Sequence, residues 1–298
     1  MQWNTAIKDF NAYLKLEKSL SANSVDAYIR DLKKLQSFSA TQVPPLEPSK
    51  LDISHLHEFI QWLDGFYLNR RTQSRIISGI RTFFKFMLLN DIIDHDPSVL
   101  LEMPKTGRKL PEVLSVEEID SIIGVIDLST PHGRRNKAII ETLYSGGLRV
   151  SELVNLCISD IYFSEGFLKI TGKGDKQRLV PVGSSSIKEI ELYLPERNKL
   201  PPAKGDEDIL FLNRRGKRLS REMIFMVIRQ LAQRASIKKK VSPHTFRHSF
   251  ATHLIEGGAD LRSVQEMLGH ESIITTEIYT HLDREYLRDA IIRFHPRS

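Results

Sequence analysis

Apolar side chains recur at helical spacing through the first hundred residues of the chain. Ile7, Phe10 and Leu14 are three or four positions apart, which is the spacing that places side chains on one helix face. The same pattern continues in three further segments, at residues 25–35, 56–63 and 72–89. Asn23 or Ser24 could cap the second of these helices. Four helices with apolar faces predict a small helical bundle.

A proline-rich, basic segment separates this bundle from the rest of the chain. It extends from Pro97 to Pro111, where prolines prevent a continuous helix, and Lys105, Arg108 and Lys109 make it positive. It is typical of a hinge between domains. We therefore predict a helical domain over residues 1–103, a linker over 104–111 and a second domain over 112–298.

The second domain contains the β-strand pattern. It begins with a capping box, in which Ser115 and Glu118 precede an apolar helical pattern. Short β-prone runs follow at residues 161–163, 167–171 and 177–181, and Gly172–Asp175 predicts the turn between the last two. Prolines predict a surface loop at 195–208, and residues 211–212 and 220–236 predict a short strand and a helix. The predicted fold class is mainly α with a small antiparallel β-sheet, so that the second domain is α+β.

Composition narrows the partners and the compartment. The 298 residues carry a formal net charge of +6, which permits a polyanionic partner without requiring one. A single cysteine, Cys157, rules out an intrachain disulfide framework and fits a reducing compartment. The sequence shows neither a signal-peptide pattern nor an apolar run near the roughly 18 residues of a membrane span. We therefore expect a cytoplasmic protein without a membrane partner.

Basic side chains form candidate DNA contacts in three segments. Arg71, Arg75 and neighbouring positions project from one side of the fourth helix, and either a solvated face or a row of phosphate contacts fits them. The basic turn at residues 213–218 is open to the same two interpretations. The candidate DNA-binding residues are Arg70, Arg71, Arg75, Arg81, Lys85, Lys105, Arg108, Lys109, Arg214 and Arg215.

Side chains suited to phosphate chemistry concentrate late in the chain. A helix that begins at Pro243 would place His244 and Arg247 on one face, since they lie one turn apart. His270 and Tyr279 follow on later elements. Arginine binds phosphate oxygens, histidine transfers protons and tyrosine can act as a nucleophile.

An earlier arginine has two possible roles. Arg149 lies in the first turn of a predicted helix, where free backbone N–H groups favour an anion. It could instead form a surface ion pair with a glutamate such as Glu152.

These motifs, in this order, resemble those of the tyrosine recombinases, the phage integrase family. The resemblance rests on the segments Leu148–Leu153, Gly172–Gly174, His244–His253, Leu268–His270 and Thr275–His281. Ala27–Leu32 adds a less specific match in the first domain. Spacing and length are most similar to the Xer recombinases. Glu277 stands where the family often has glutamine. The fold implied is a SAM-like helical bundle followed by a tyrosine-recombinase catalytic domain.

The resemblance implies a catalytic set of six residues. Tyr279 would attack the scissile phosphate and form a 3′-phosphotyrosyl link. Arg149 and Arg247 would hold the non-bridging oxygens. The remaining members are His270 as a hydrogen-bond donor to the phosphate, Lys173 as the general acid for the leaving 5′-oxygen and His244 as a proton-transfer partner of Tyr279.

The family also implies partners. These are a duplex recombination site, a homo- or heterotetramer on two sites that could include a paralogous recombinase, and a DNA-translocating division ATPase. The implied task is resolution of chromosome dimers by a nucleoid-associated enzyme that uses no metal, no ATP and no cofactor. The tail at 284–293 would then dock on a neighbouring subunit, although packing on its own domain fits its apolar stripe equally.

Four other functions fit parts of the sequence. An integrase of a mobile element would use the same chemistry. An architectural DNA-binding protein would have no use for Tyr279 or His270. A metallohydrolase could use several of the histidines, but the sequence lacks a His-Glu-x-x-His helix. A type IB topoisomerase shares the chemistry but acts as a monomer.

Overall fold

The structure, a computed structural model, describes residues 1–66, 68–104, 112–172, 176–269 and 281–298, without the side chains of 281–284. Two compact units divide the chain, Met1–Lys109 and Leu110–Ser298. Each has its own hydrophobic core. Except for Pro104, the linker predicted from the sequence lies outside the described residues.

Four α-helices form the described part of the first unit: α1 (Trp3–Leu16), α2 (Ala22–Ser39), α3 (Ile53–Asp64) and α4 (Arg70–Leu89). Their apolar faces meet around the fully buried rings of Phe10, Phe59 and Phe83, so the predicted bundle is confirmed. The predicted caps of α2 were wrong. Ser21 caps this helix because its backbone is still extended, and its Oγ accepts a hydrogen bond from the Ser24 N–H.

The second unit combines helices with a small sheet. Its described helices are α5 (Val116–Gly124), α6 (Pro131–Gly146), α7 (Val150–Val154), α8 (Ser184–Asn198), α9 (Arg221–Arg234), α10 (Pro243–Gly257), α11 (Leu261–Leu268) and α12 (His281–Phe294). Strands β1 (Ile161–Tyr162), β2 (Phe167–Thr171) and β3 (Gln177–Pro181) form an antiparallel sheet in that order, with Leu168 of β2 opposite Val180 of β3. The predicted fold class is therefore confirmed.

Three local predictions for this unit were wrong. Pro195 does not begin a loop but lies inside α8, where the burial of Ile190 and Tyr193 holds the helix together despite the lost hydrogen bond. Phe163 lies beyond the end of β1. Residues 211–212 form no strand, although Leu212 makes an isolated β-bridge with Arg218.

The helix α12 packs on its own unit. Leu287, Ala290 and Ile291 are buried in the same core as the other helices, which is one of the two arrangements that the sequence allowed. Beyond the helix, Arg297 forms ion pairs with Glu141 of α6 and Asp120 of α5. Burial of apolar side chains and the ion pairs of Arg297 therefore hold residues 287–297 on their own unit.

His295, between α12 and Arg297, is a buried imidazole. It is 4 % exposed, and its ring lies 4.7 Å from the Tyr144 ring and 5.5 Å from the Phe250 ring, measured between centroids. Burial lowers the pKa of His295 to about 3. A free histidine has a pKa of about 6.5, so the unfolded chain binds a proton here that the folded chain excludes.

We predict that His295 makes the second unit acid-sensitive. Because the pKa of this base is depressed by folding, its contribution to stability is present above about pH 6.5 and declines as the pH falls towards about 3. The variant His295→Phe keeps an aromatic ring at this position and cannot take up the proton. Urea unfolding between pH 7.5 and pH 4.5 should show a smaller loss of unfolding free energy for this variant than for the wild type. Equal losses would contradict the prediction.

Candidate active site

Helix α10 places two of the candidate catalytic residues. Ser242 caps it by accepting a hydrogen bond from the Thr245 N–H, and Pro243 occupies the first turn, where a missing N–H costs nothing. His244 is exposed, whereas Arg247, one turn later, is buried with 9 % exposure. The helix ends at Gly257 and is capped by Gly258, which has a left-handed backbone.

A second turn brings Arg149 close to Arg247. Helix α6 is capped by Gly147, whose φ of +56° is left-handed, and a Cβ atom at this residue would lie 2.4 Å from the Phe250 ring. The chain can therefore turn sharply enough for Arg149 to begin α7. The carbonyl of Gly147 also accepts a 2.8 Å hydrogen bond from Nη1 of Arg247. Only glycine fits this backbone shape and this space together.

Glu152 is the carboxylate that the arginines share. Its side chain is 3 % exposed, and it accepts a 2.9 Å hydrogen bond from Nη1 of Arg149. Arg178 of β3 donates two bonds of 2.8 Å, one to each carboxylate oxygen. Nη1 of Arg247 lies 3.9 Å from the same carboxylate. The ion pair between Arg149 and Glu152 was one of the two roles that the sequence left open for Arg149; the Arg149 side chain is 38 % exposed, whereas the carboxylate is buried.

The ionisation of the cluster follows from its contacts. Burial would raise the pKa of Glu152, but the hydrogen bonds and charge of Arg178, together with bonds from Arg149, outweigh it and hold that pKa below its usual value. Burial and the neighbouring charge of Arg149 lower the pKa of Arg247 to about 10. At neutral pH the cluster therefore holds three guanidinium charges and the Glu152 carboxylate, and its net charge favours an anion.

The carbonyl end of α11 completes the cluster. Three consecutive carbonyl oxygens each accept a hydrogen bond from a different arginine: Met267 from Nε of Arg178 at 2.9 Å, Leu268 from Nη2 of Arg247 at 2.5 Å and Gly269 from Nη2 of Arg149 at 3.2 Å. The last carbonyls of a helix have no partner within it and carry partial negative charge. The arginines supply the missing donors, and in return α11 fixes the positions of the arginines.

The six predicted catalytic residues divide into two groups. Arg149 and Arg247 meet in the cluster, and His244 lies on α10 with Arg247. Lys173, His270 and Tyr279 are outside the described residues.

The basic residues predicted to contact DNA differ in their exposure and in whether the structure gives them a partner within the protein. Arg75 forms an ion pair with the buried Asp31, and Arg81 donates to the carbonyl of Leu101, so both have partners within the first unit. The candidates that the structure shows exposed are Arg70, Arg71, Arg75, Lys85, Arg214 and Arg215. Lys105, Arg108 and Lys109 are outside the described residues.

Sequence reasoning missed two members of the cluster. Arg178 was assigned only to a strand, and Glu152 only to a surface ion pair. One signal was available for Arg178, because a charged residue that opens the apolar run Leu179-Val180 needs a buried counter-charge. The identity of that counter-charge depends on tertiary structure.

The described part of the chain contains no group of three or more His, Cys, Asp or Glu side chains placed to hold a metal ion. None of its helices combines the length and apolar character needed to cross a bilayer.

Comparison with known proteins defines the class. Residues 112–285 match the phage integrase family, and residues 7–90 match the phage integrase N-terminal SAM-like domain. The chain belongs to the phage integrase family, the family of the site-specific tyrosine recombinases, and is thus an enzyme that breaks and rejoins DNA. The resemblance seen in the sequence is confirmed.

Relatives with the same name recur among the matches. The chain is 41 % identical to the tyrosine recombinase XerD of Listeria innocua serovar 6a over 296 residues, which cover 99 % of this chain and 100 % of that protein. It is 42 % identical to XerD of Oceanobacillus iheyensis, over 98 % of this chain and 99 % of that one. The crystal structure of the XerH recombinase bound to its difH substrate is similar with a TM-score of 0.67 at 26 % identity, over 83 % of this chain and 74 % of that chain.

We predict that Gly147→Ala destabilises the second unit, because a Cβ atom there meets the Phe250 ring and the backbone is left-handed. The unfolding free energy should fall by about 1–3 kcal/mol, as measured by urea denaturation. Gly124→Ala is the matched control, since a Cβ atom at Gly124 would have no neighbour within 4 Å. Equal effects of the two variants would show that the Gly147 turn tolerates a side chain.

Proposed function

We propose that this chain recombines duplex DNA at a specific site through a covalent 3′-phosphotyrosyl intermediate on Tyr279. One observation carries the proposal. Arg149 and Arg247, far apart in sequence, converge on the buried Glu152 and on adjoining carbonyls of α11. The comparisons support it, because relatives that match the whole chain are named tyrosine recombinases.

The arginines would act by electrostatic stabilisation. A phosphoryl transition state spreads negative charge over its oxygens, and fixed cations stabilise that charge without reorganising. Each guanidinium has five N–H donors, and the contacts described for Arg149 and Arg247 leave some of them available to phosphate oxygens. His270 would add a further hydrogen bond.

The reaction requires two proton transfers, one from the attacking Tyr279 oxygen and one to the leaving 5′-oxygen. The Tyr279 oxygen forms a bond to phosphorus and gives up its proton with the help of His244, as the bond from phosphorus to the 5′-oxygen breaks. Lys173 protonates the leaving 5′-oxygen. A free phenol has a pKa near 10, so only about one in a thousand is ionised at pH 7 and assistance is needed. The reverse reaction, with a 5′-hydroxyl of the partner strand, completes the exchange.

The biological role that we propose is resolution of chromosome dimers. The relatives named XerD support this role over that of a mobile-element integrase, because the integrases among the solved structures share less sequence identity with this chain. The enzyme would act in the cytoplasm at the nucleoid, as a tetramer on two sites. It could pair with a paralogous recombinase and respond to a DNA-translocating division ATPase.

Subunit exchange of the tail would require α12 to leave its own unit. Leu287 and Ile291 are buried there, so a deletion from residue 283 onwards would remove core residues together with any docking element. Substitution of exposed residues of α12, such as Tyr286 and Ile292, tests docking without opening the core.

The first test concerns the nucleophile. Recovering the tightest-binding duplexes from a library of the source genome identifies the site, and a nicked suicide duplex of that sequence then traps any covalent adduct. We expect the wild type to form the adduct and Tyr279→Phe to bind with unchanged affinity but form none. An adduct on Tyr279→Phe would eliminate Tyr279 as the nucleophile.

The same experiment separates the biological alternatives. A site in the chromosomal terminus region would support dimer resolution, and sites at the ends of a mobile element would support integration. Tight binding by a wild-type protein that never forms an adduct would favour an architectural role.

We also predict that two basic residues of α4 differ in their effect on DNA affinity. Lys85→Ala should reduce the slope of log affinity against log salt by about 0.9, the value of one lost phosphate contact, since Lys85 is exposed. Arg81→Ala should mainly lower stability, because Arg81 donates to the carbonyl of Leu101. Fluorescence anisotropy between 50 and about 200 mM salt would measure the slopes. An unchanged slope for Lys85→Ala would remove this residue from the interface.

A further inference from the structure

We propose that Arg178 is a positioning residue of the recombinase reaction, which binds the Glu152 carboxylate so that Arg149 and Arg247 keep their charge and place for the phosphate. The inference rests on the proposed function. It concerns a side chain outside the six catalytic residues that the family resemblance implies.

Arg178 holds the Glu152 carboxylate through a bidentate contact. Its two terminal nitrogens each donate a 2.8 Å bond to a different oxygen of Glu152, and its Nε donates to the carbonyl of Met267 at 2.9 Å. The side chain is 8 % exposed. A paired fork of this kind fixes both partners in one orientation, as a lysine could not. Arg178 therefore joins β3, α7 and α11 beneath the two candidate catalytic arginines.

The charge of the cluster gives Arg178 its effect. Arg178 supplies Glu152 with a full counter-charge, and Arg178 itself has no part in binding the phosphate. Without it, the buried carboxylate would have to be neutralised by Arg149, to which it is already bonded, and by Arg247, 3.9 Å away. A closer approach of Arg149 or Arg247 to the carboxylate would move its guanidinium away from the phosphate. Removal of Arg178 should therefore slow adduct formation only when Glu152 carries its charge.

A purely structural role predicts something different. Arg197 of α8 is likewise buried, with 6 % exposure, and donates to the backbone carbonyls of Ile209 and Glu207. Its contacts do not reach the cluster. Substitution of Arg197 reports what loss of a buried arginine does to folding, and this makes Arg197→Gln the matched control.

The experiment measures adduct formation in a single turnover, with protein in excess over the suicide duplex, so that weaker binding does not limit the rate. The variants are Arg178→Gln, Arg178→Lys, Glu152→Gln, the double variant Glu152→Gln with Arg178→Gln, and Arg197→Gln. Site affinity and the unfolding midpoint are measured for each variant.

We expect Arg178→Gln to form the adduct on the order of ten to a hundred times more slowly at full occupancy, with site affinity within about twofold of the wild type. Arg178→Lys should be intermediate, because it keeps the charge and loses the fork. In the Glu152→Gln background, Arg178→Gln should change the rate by less than about threefold, since the carboxylate it would have left unpaired is gone. Arg197→Gln should lower the unfolding midpoint only.

The double variant is informative even if Arg178→Gln does not fold, since it leaves no buried carboxylate without its Arg178 partner. A further tenfold loss on adding Arg178→Gln to Glu152→Gln would overturn the inference, and so would a normal adduct rate for Arg178→Gln. A wild-type protein that forms no adduct would instead contradict the proposed function. The two failures are therefore distinguishable.

Discussion

The second unit depends on the burial of one carboxylate. Moving Glu152 out of water costs several kcal/mol unless it is paired and hydrogen-bonded, and here the partners come from separate elements. Arg178 lies on β3, Arg247 on α10 and Arg149 at the start of α7. Because the charge is stable only when these elements are all in place, Glu152 couples the assembly of the fold to the assembly of the site.

The short helix α11 depends on the same cluster of arginines. An eight-residue helix is marginal in water, and its last carbonyls lack partners. In this protein the Met267, Leu268 and Gly269 carbonyls are bound by the arginines. These contacts stabilise the end of α11 and hold the three arginines in place at the same time.

In the first unit, two of the basic side chains predicted to contact DNA have partners within the protein. Arg75 and Arg81 share a helix with Lys85, and their spacing alone suggests a single stripe for DNA. The buried carboxylate of Asp31 engages Arg75, and burial raises the pKa of Asp31 despite that partner. Arg81 fastens the segment after α4. Arg75 and Arg81 therefore have partners within the first unit that their spacing along the helix does not indicate.

The sequence by itself determined the fold class, most helix positions and the capping box at Ser115. These depend on neighbours within a few residues, where periodicity and capping chemistry operate. Tertiary structure alone decided that Glu152 is buried, that Arg178 belongs with it and that Pro195 lies inside a helix. Such features depend on which distant groups share one desolvated space, and no local pattern of residues encodes that.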